Sequence, residues 1–284
     1  MNYSHALKIV HHHAFKTAGS TMMWILEKNF PGQVLYIEGE KNAGEKCRRR
    51  LHCDDLPPHL ESGAYQAVSS HLLMVPDMGE NVGEVHFSLL RDPLERTLSA
   101  YHFLKRGGEI DSDMTLAEFC QSNFQAGNFQ LHHSSLREDK TPIDDWSIND
   151  KIYQKIDSGE IFFGLVEYFD HTMLLLEELL KRHGVKFDGA YTQDFNRTAG
   201  KTGRQWQMND ADRKILLEKN ARDIELYAYV RHKFLERFHA RFGDKDLEDF
   251  ARRCYRLRRK FNRKKRKPRP VIVPDASQWV HVDF

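Results

Sequence analysis

Apolar and polar positions alternate between short strand-like runs and helix-length periodic stretches from the first residues onward. Leu7 to Val10 is a short apolar run of buried-strand type, and Met22, Trp24, Ile25, Leu26 and Phe30 then repeat at helical spacing. Gln33 to Glu38 predicts a second strand, Tyr65 to His71 a third that ends on a histidine, and Glu84 to Leu90 the clearest buried strand. Asp92 stands at a predicted N-cap, with Pro93 in the first helical position and Glu95 three residues after the cap. On that helix Leu94, Leu98 and Tyr101 share a face expected to pack on the sheet. Ile161 to Asp170 reads as a strand running into a helix whose Phe169, Met173, Leu176 and Leu180 share one face. Ile224, Tyr227, Val230, Phe234 and Phe238 mark a further long helix. Strands alternating with helices predict an α/β domain on a doubly wound parallel sheet flanked by helices, P-loop-like at its first turn. The polar, aperiodic stretch from Gly39 to Pro58 predicts a loop or a mobile insertion, and His132, His133 and Ser134, which follow Asn128 and Gln130, predict a further loop.

The turn between the first strand and helix is Lys16-Thr17-Ala18-Gly19-Ser20-Thr21. A strand, a turn of small residues and a helix start aim backbone N–H groups and a positive helix end at one anion. Ala18 and Gly19 admit close approach, Thr17, Ser20 and Thr21 offer hydroxyls, and Lys16 supplies charge. The Walker pattern requires lysine directly after the last glycine, whereas Lys16 precedes Gly19 by three residues, and no upstream glycine is present. In parallel sheets ligands gather beyond the carboxyl ends of strands. Lys16, His71 and Arg91 each lie just past such an end, so one pocket is expected to hold all three. Arg91 at the start of its helix and Ser99 two turns on are expected to hold one phosphate between them.

Two motifs together carry a resemblance. Lys-Thr-Ala-Gly-Ser-Thr resembles the 5′-phosphosulfate loop of the carbohydrate branch of sulfotransferases, with Phe15 where that branch often has proline. Arg91-Asp-Pro-Leu-Glu-Arg-Thr-Leu-Ser-Ala-Tyr101 resembles the family's 3′-phosphate motif, with arginine and serine eight apart. Weaker echoes are Gly164-Leu-Val-Glu-Tyr-Phe-Asp170, Asp223-Ile-Glu-Leu-Tyr227, and Phe195-Asn-Arg-Thr198 with Lys201, Thr202 and Arg204, which is similar to a late loop closing over the nucleotide. The resemblance spans roughly residues 7 to 240. It implies sulfuryl transfer from 3′-phosphoadenosine 5′-phosphosulfate to a hydroxyl of a carbohydrate or glycolipid. Lys16, Thr17, Ala18, Gly19, Ser20, Thr21, Arg91, Ser99, Asn196, Arg197 and Lys201 would bind this donor, Lys16 would also act in catalysis, and His71 would be the base. His132 and His133 stand as alternatives for that last role. No metal is expected to take part. A nucleotide kinase of P-loop type and a basic-tailed binding module without catalysis are the competing classes. The first lacks the Walker lysine, and the second leaves both motifs unexplained.

Of 284 residues 40% are hydrophobic, enough for one large domain, and no apolar run reaches the ~20 residues of a membrane span. The formal charge of +2 conceals a split. Residues 251–270 hold twelve Lys/Arg and no Asp/Glu, leaving 31 basic against 41 acidic residues elsewhere. Residues 1–244 are thus expected to form the sulfotransferase-like domain and 245–284 a basic extension. The run from Arg252 to Lys267 suits an anionic membrane surface, an anionic polysaccharide, or plain solvation, with nucleic acid the poorer match. A cytoplasmic protein lying peripherally at the inner membrane is expected, or a Golgi enzyme if an anchor precedes this sequence. Four cysteines make no disulfide framework, and Cys47 and Cys53 lack zinc-ligand spacing. Successive histidines at 11, 12 and 13 point to opposite faces of a strand and so are expected to pack rather than chelate.

Overall fold

The computed structural model describes residues 8–37, 49–50, 65–73, 84–134, 146–192, 209–261, 271–272 and 280–281. Its elements are β1 (Ile9–His12), α1 (Gly19–Asn29), β2 (Val34–Ile37), β3 (Arg49–Arg50), β4 (Ala67–Ser70), β5 (Val85–Leu90), α2 (Pro93–Gly107), α3 (Leu116–Ser122), α4 (Phe129–Ser134), α5 (Trp146–Ser158), β6 (Ile161–Leu165), α6 (Phe169–Arg182), α7 (Asp210–Lys219), α8 (Ala221–His239), α9 (Asp244–Phe261), β7 (Val271–Ile272) and β8 (Val280–His281). Six strands form one sheet in the order β6-β5-β1-β4-β2-β7. Every pairing within it is parallel. The chain is therefore an α/β protein whose strand order departs in both directions from β1. That reversal is where a parallel sheet opens a crevice.

Parallel strands covered on both faces are buried along their whole length, and these are, although β1, β4 and β5 carry histidines and serines among their apolar residues. Ile9, Val34, Tyr36, Ala67, Val85, Phe87 and Leu89 enter the main core with α1, α6 and α8. Val10, Leu35, Ile37 and Val68 face the other way, onto Leu72 and Leu73. β1 runs two residues beyond the apolar run that predicts it, because both extra histidines find partners indoors. His11 Nδ1 lies 2.9 Å from Ser69 Oγ, and His12 Nε2 lies 3.0 Å from His86 Nδ1.

Three expectations change. Leu98 and Tyr101 of α2 do not pack on the sheet; with Leu94 at their margin they join Leu116, Phe119 and Leu216 in a satellite core with α3 and α7. His132, His133 and Ser134 belong to helix α4 rather than a loop. The basic extension also begins inside the fold, since Phe250 and Cys254 of α9 are buried in the main core and Arg253 pairs with Glu177 of α6 at 2.8 Å. Of the stretch 39–58, Arg49–Arg50 pairs antiparallel with Val280–His281, and the remainder lies outside the described residues. Among the described residues no helix is long and apolar enough to cross a membrane.

Candidate functional site

Adjacency of β5, β1 and β4 decides the site. All three strands point the same way, so the residues that follow them emerge side by side at one sheet edge. Strand spacing of about 4.8 Å puts the three exits within roughly 10 Å. Lys16–Thr21 follows β1, His71 directly follows β4, and Arg91 directly follows β5. The topology thus brings these three strand exits to one edge of the sheet.

The loop after β1 is a strained turn. Lys16 and Ala18 both adopt left-handed backbone conformations, with φ 69° and 63°. Each costs a residue with a Cβ roughly 1 kcal/mol or more, and such strain clusters where a loop must curl its N–H groups inward. Ala18 is the N-cap of α1 and offers no side-chain acceptor, and no acidic residue occupies the first turn. The positive end of the α1 dipole is thus met by no acidic side chain from the helix's own first turn or cap. Thr17 departs from the expected role: it is fully buried, and its hydroxyl donates to the Ala14 carbonyl at 2.8 Å. It fastens the loop rather than presenting a hydroxyl outward. Gly19 is required by contact, because a Cβ there would sit 1.4 Å from His13 Nε2.

His13 belongs to a column of rings. Phe87 stacks on His11 at 4.6 Å between centroids, His11 on His13 at 5.2 Å, and His13 on His71 at 3.8 Å. Burial first, and then the neighbouring imidazoles, hold His13 well below the usual histidine range, and burial pushes His11 to about 3. Both are neutral packing groups near pH 7. His71 Nδ1 lies 2.6 Å from the His13 carbonyl oxygen. A carbonyl only accepts, so Nδ1 carries a proton, which in the neutral ring leaves the lone pair on Nε2.

Lys16 leans over the Phe103 ring, its Nζ 4.1 Å from the centroid, with Phe15 at 5.7 Å. Burial, followed by repulsion from Arg91 and Arg106, lowers it to about 8. Neither Phe103 nor Arg106 is singled out by the sequence, for α2 brings them back about one and two turns after Ser99. Phe15 fills the proline position with an edge contact to Phe103 at 5.5 Å. Among the described residues Arg91 meets one acid, Glu95, at 3.5 Å. Glu95 lies between Arg91 and Ser99 on one stripe of α2. Ser99 is partly exposed, off the face that Leu98 and Ala100 bury.

The weaker sequence motifs converge on the backbone of Arg91 and Asp92. Gln130 accepts the Arg91 N–H and returns its amide to the Arg91 carbonyl, both at 2.8 Å. Glu167 accepts the Asp92 N–H at 2.9 Å through one oxygen and the Tyr227 hydroxyl at 2.8 Å through the other. The Asp223 carboxylate takes the Gln130 and Leu131 N–H groups at 2.9 and 2.8 Å, which fixes the start of α4. Asn128, at φ 45°, accepts from the Arg222 N–H at 3.0 Å. Opposite Asp223 lies Arg96, wholly buried, stacked over Phe129 at 4.6 Å and hydrogen-bonded to the Gln125 carbonyl. Burial lowers Arg96 to about 10 while Asp223 pulls it back up. These residues position Arg91; sequence spacing alone did not reveal that role.

Asn196, Arg197 and Lys201 lie outside the described residues. A groove bordered by Lys181, Val185, Phe187 and Phe242 opens at the far end of α6, remote from the loop. Among the described residues no group of three or more His, Cys, Asp or Glu is placed to hold a metal ion. No protein-family model matches the chain, and no curated protein matches it.

Proposed function

We propose that the protein is a sulfotransferase that moves the sulfuryl group of 3′-phosphoadenosine 5′-phosphosulfate to a hydroxyl of a carbohydrate or glycolipid. The observation that carries this reading is the meeting of an uncapped, strained loop, a tautomer-fixed histidine and an arginine held by its backbone at three adjacent strand ends. Arg91 and Arg106 are near enough to Lys16 to disfavour its charge, which fits a site built for an anion of more than one charge.

In this reading the N–H groups of Ala18, Gly19 and Ser20 bind the donor's 5′-phosphate, with the Ser20 and Thr21 hydroxyls alongside, the Thr21 N–H being spent on the Ala18 carbonyl at 3.0 Å. Arg91 and Ser99 take the 3′-phosphate and distinguish this donor from simpler nucleotides. Nε2 of His71 removes the acceptor hydroxyl's proton as that oxygen bonds to sulfur and the bond from sulfur to the phosphate oxygen breaks. Lys16 stabilises the charge arriving on that departing oxygen. The logic parallels phosphoryl transfer, where positioning and charge stabilisation supply nearly all the catalysis.

The test is calorimetric titration with adenosine 3′,5′-bisphosphate, with adenosine 5′-phosphate as control, on wild type and Arg91→Ala. The expected result is tight binding that depends on the 3′-phosphate and collapses in the variant. Equal affinity for the two nucleotides refutes the proposal.

A further inference from the structure

The last helix carries a surface that the donor site does not use. Leu247, Phe250, Cys254 and Leu257 recur at helical spacing on α9 and face the main core, Phe250 and Cys254 being buried outright. Diametrically opposite, by the 100° step of the helix, stand Arg252, Tyr255, Arg256 and Arg259. All four are exposed, Tyr255 at 61%. Arg252 is engaged by Glu248 and Asp249 one turn earlier. Arg256, Arg258, Arg259 and Lys260 form no ion pair with any described residue. The helix is thus divided along its length, with Asp244, Asp246, Glu248 and Asp249 in its first turns and, in its last, cations that pair with none of the described residues.

We propose that the Tyr255–Lys260 end of α9 binds a linear polyanionic polysaccharide, one bearing sulfate or uronate groups along its chain. Its apolar face is spent on the core, so α9 has none to insert into lipid, which is how amphipathic helices hold a bilayer. A flat anionic surface laid along α9 also meets Asp244, Glu248 and Asp249 of its first turns. A single chain crossing the last turns meets only the cations. Arg256 and Arg259 lie one turn apart on one row, about 4.5 Å along the axis, within reach of successive charged groups on one chain. Arginine forks match sulfate and carboxylate bidentately, and Tyr255 adds an exposed ring in the same row, suited to the apolar face of a sugar. The inference stands apart from the donor reading, because it rests on a surface that shares no residue with it.

The experiment measures binding of the full chain to heparin, to phosphatidylserine–phosphatidylcholine vesicles and to duplex DNA over a range of salt. It compares wild type with Arg256→Glu and Arg258→Glu, which make the same charge change on and off the row. Both side chains are exposed and unpaired among the described residues, so circular dichroism should report an unchanged fold. Heparin binding that weakens roughly tenfold or more in Arg256→Glu and much less in Arg258→Glu, with a shallower salt slope in the former, supports the proposal. Equal losses in the two variants overturn it in favour of diffuse charge attraction. Tighter binding to vesicles or to DNA than to heparin overturns it in favour of those partners.

Discussion

Replacing Gly19 with alanine tests the central contact of the site. The added methyl would lie 1.4 Å from His13 Nε2 and 2.0 Å from its Cε1. An ordinary contact needs about 3.5 Å, so ring or loop must yield by roughly 2 Å. A side-chain tip usually yields cheaply. Here the ring is held between His11 at 5.2 Å and His71 at 3.8 Å, and its own carbonyl anchors His71. Overpacking of this kind costs about 1–3 kcal/mol, of which alanine's better helix propensity at the start of α1 returns less than 1 kcal/mol. A net loss of about 1–2 kcal/mol in urea unfolding is expected, with weaker binding of adenosine 3′,5′-bisphosphate. In the double variant His13→Ala/Gly19→Ala the methyl occupies space the ring has left. The double-mutant cycle should therefore show a favourable coupling of about 1 kcal/mol or more. Strict additivity would refute the argument, since it would mean that the ring and the glycine do not compete for one volume.

Other outcomes follow from the same geometry. Lys16 sits at about 8 in the folded protein against an ordinary 10.5, so the folded state binds fewer protons than the unfolded state between those values. The charged lysine thus weakens the fold below pH 8, and that penalty fades as pH rises toward 10.5. Lys16→Met should be more stable than wild type at pH 7, by about 1 kcal/mol after allowance for solvent screening, with the gap closing at high pH. Wild-type affinity for the bisphosphate should fall above pH 8 as Lys16 loses its proton, and calorimetry across pH reads this directly. Asp223→Leu strands Arg96 in the core and removes the acceptor of two N–H groups, so a loss of about 3–5 kcal/mol is expected in denaturant unfolding. Gln130→Ala frees the Arg91 peptide on both sides. It should lower affinity for adenosine 3′,5′-bisphosphate far more than for adenosine 5′-phosphate, while folding stability drops by about 1–3 kcal/mol.

Much of this arrangement is written locally. The strands from Val34, Ala67 and Val85 and the helix capped by Asp92 follow from apolar runs, a cap and a proline, which act within a few residues. The small-residue turn before α1 and the arginine after β5 are legible for the same reason. What neighbours what is not local. Strand order β5-β1-β4 is a consequence of the whole sheet, and it alone turns three separate strand ends into one site. The apolar face of α2 reads as sheet-facing because periodicity reports burial and not the partner; α3 and α7 cover it instead. Thr17 looks like a ligand by residue type and is turned inward by the fold. Glu167, Gln130 and Asp223 lie up to 132 residues from Arg91 in sequence, yet they hold its backbone or the helix beside it. The charge of α9 is plain in the sequence, but that Phe250 and Cys254 enter the main core follows only from its packing on α6. Local patterning determined the elements and their chemistry; tertiary packing decided which of those side chains turn inward and which meet at the shared strand ends, because burial and hydrogen bonding are settled by neighbours distant in the chain.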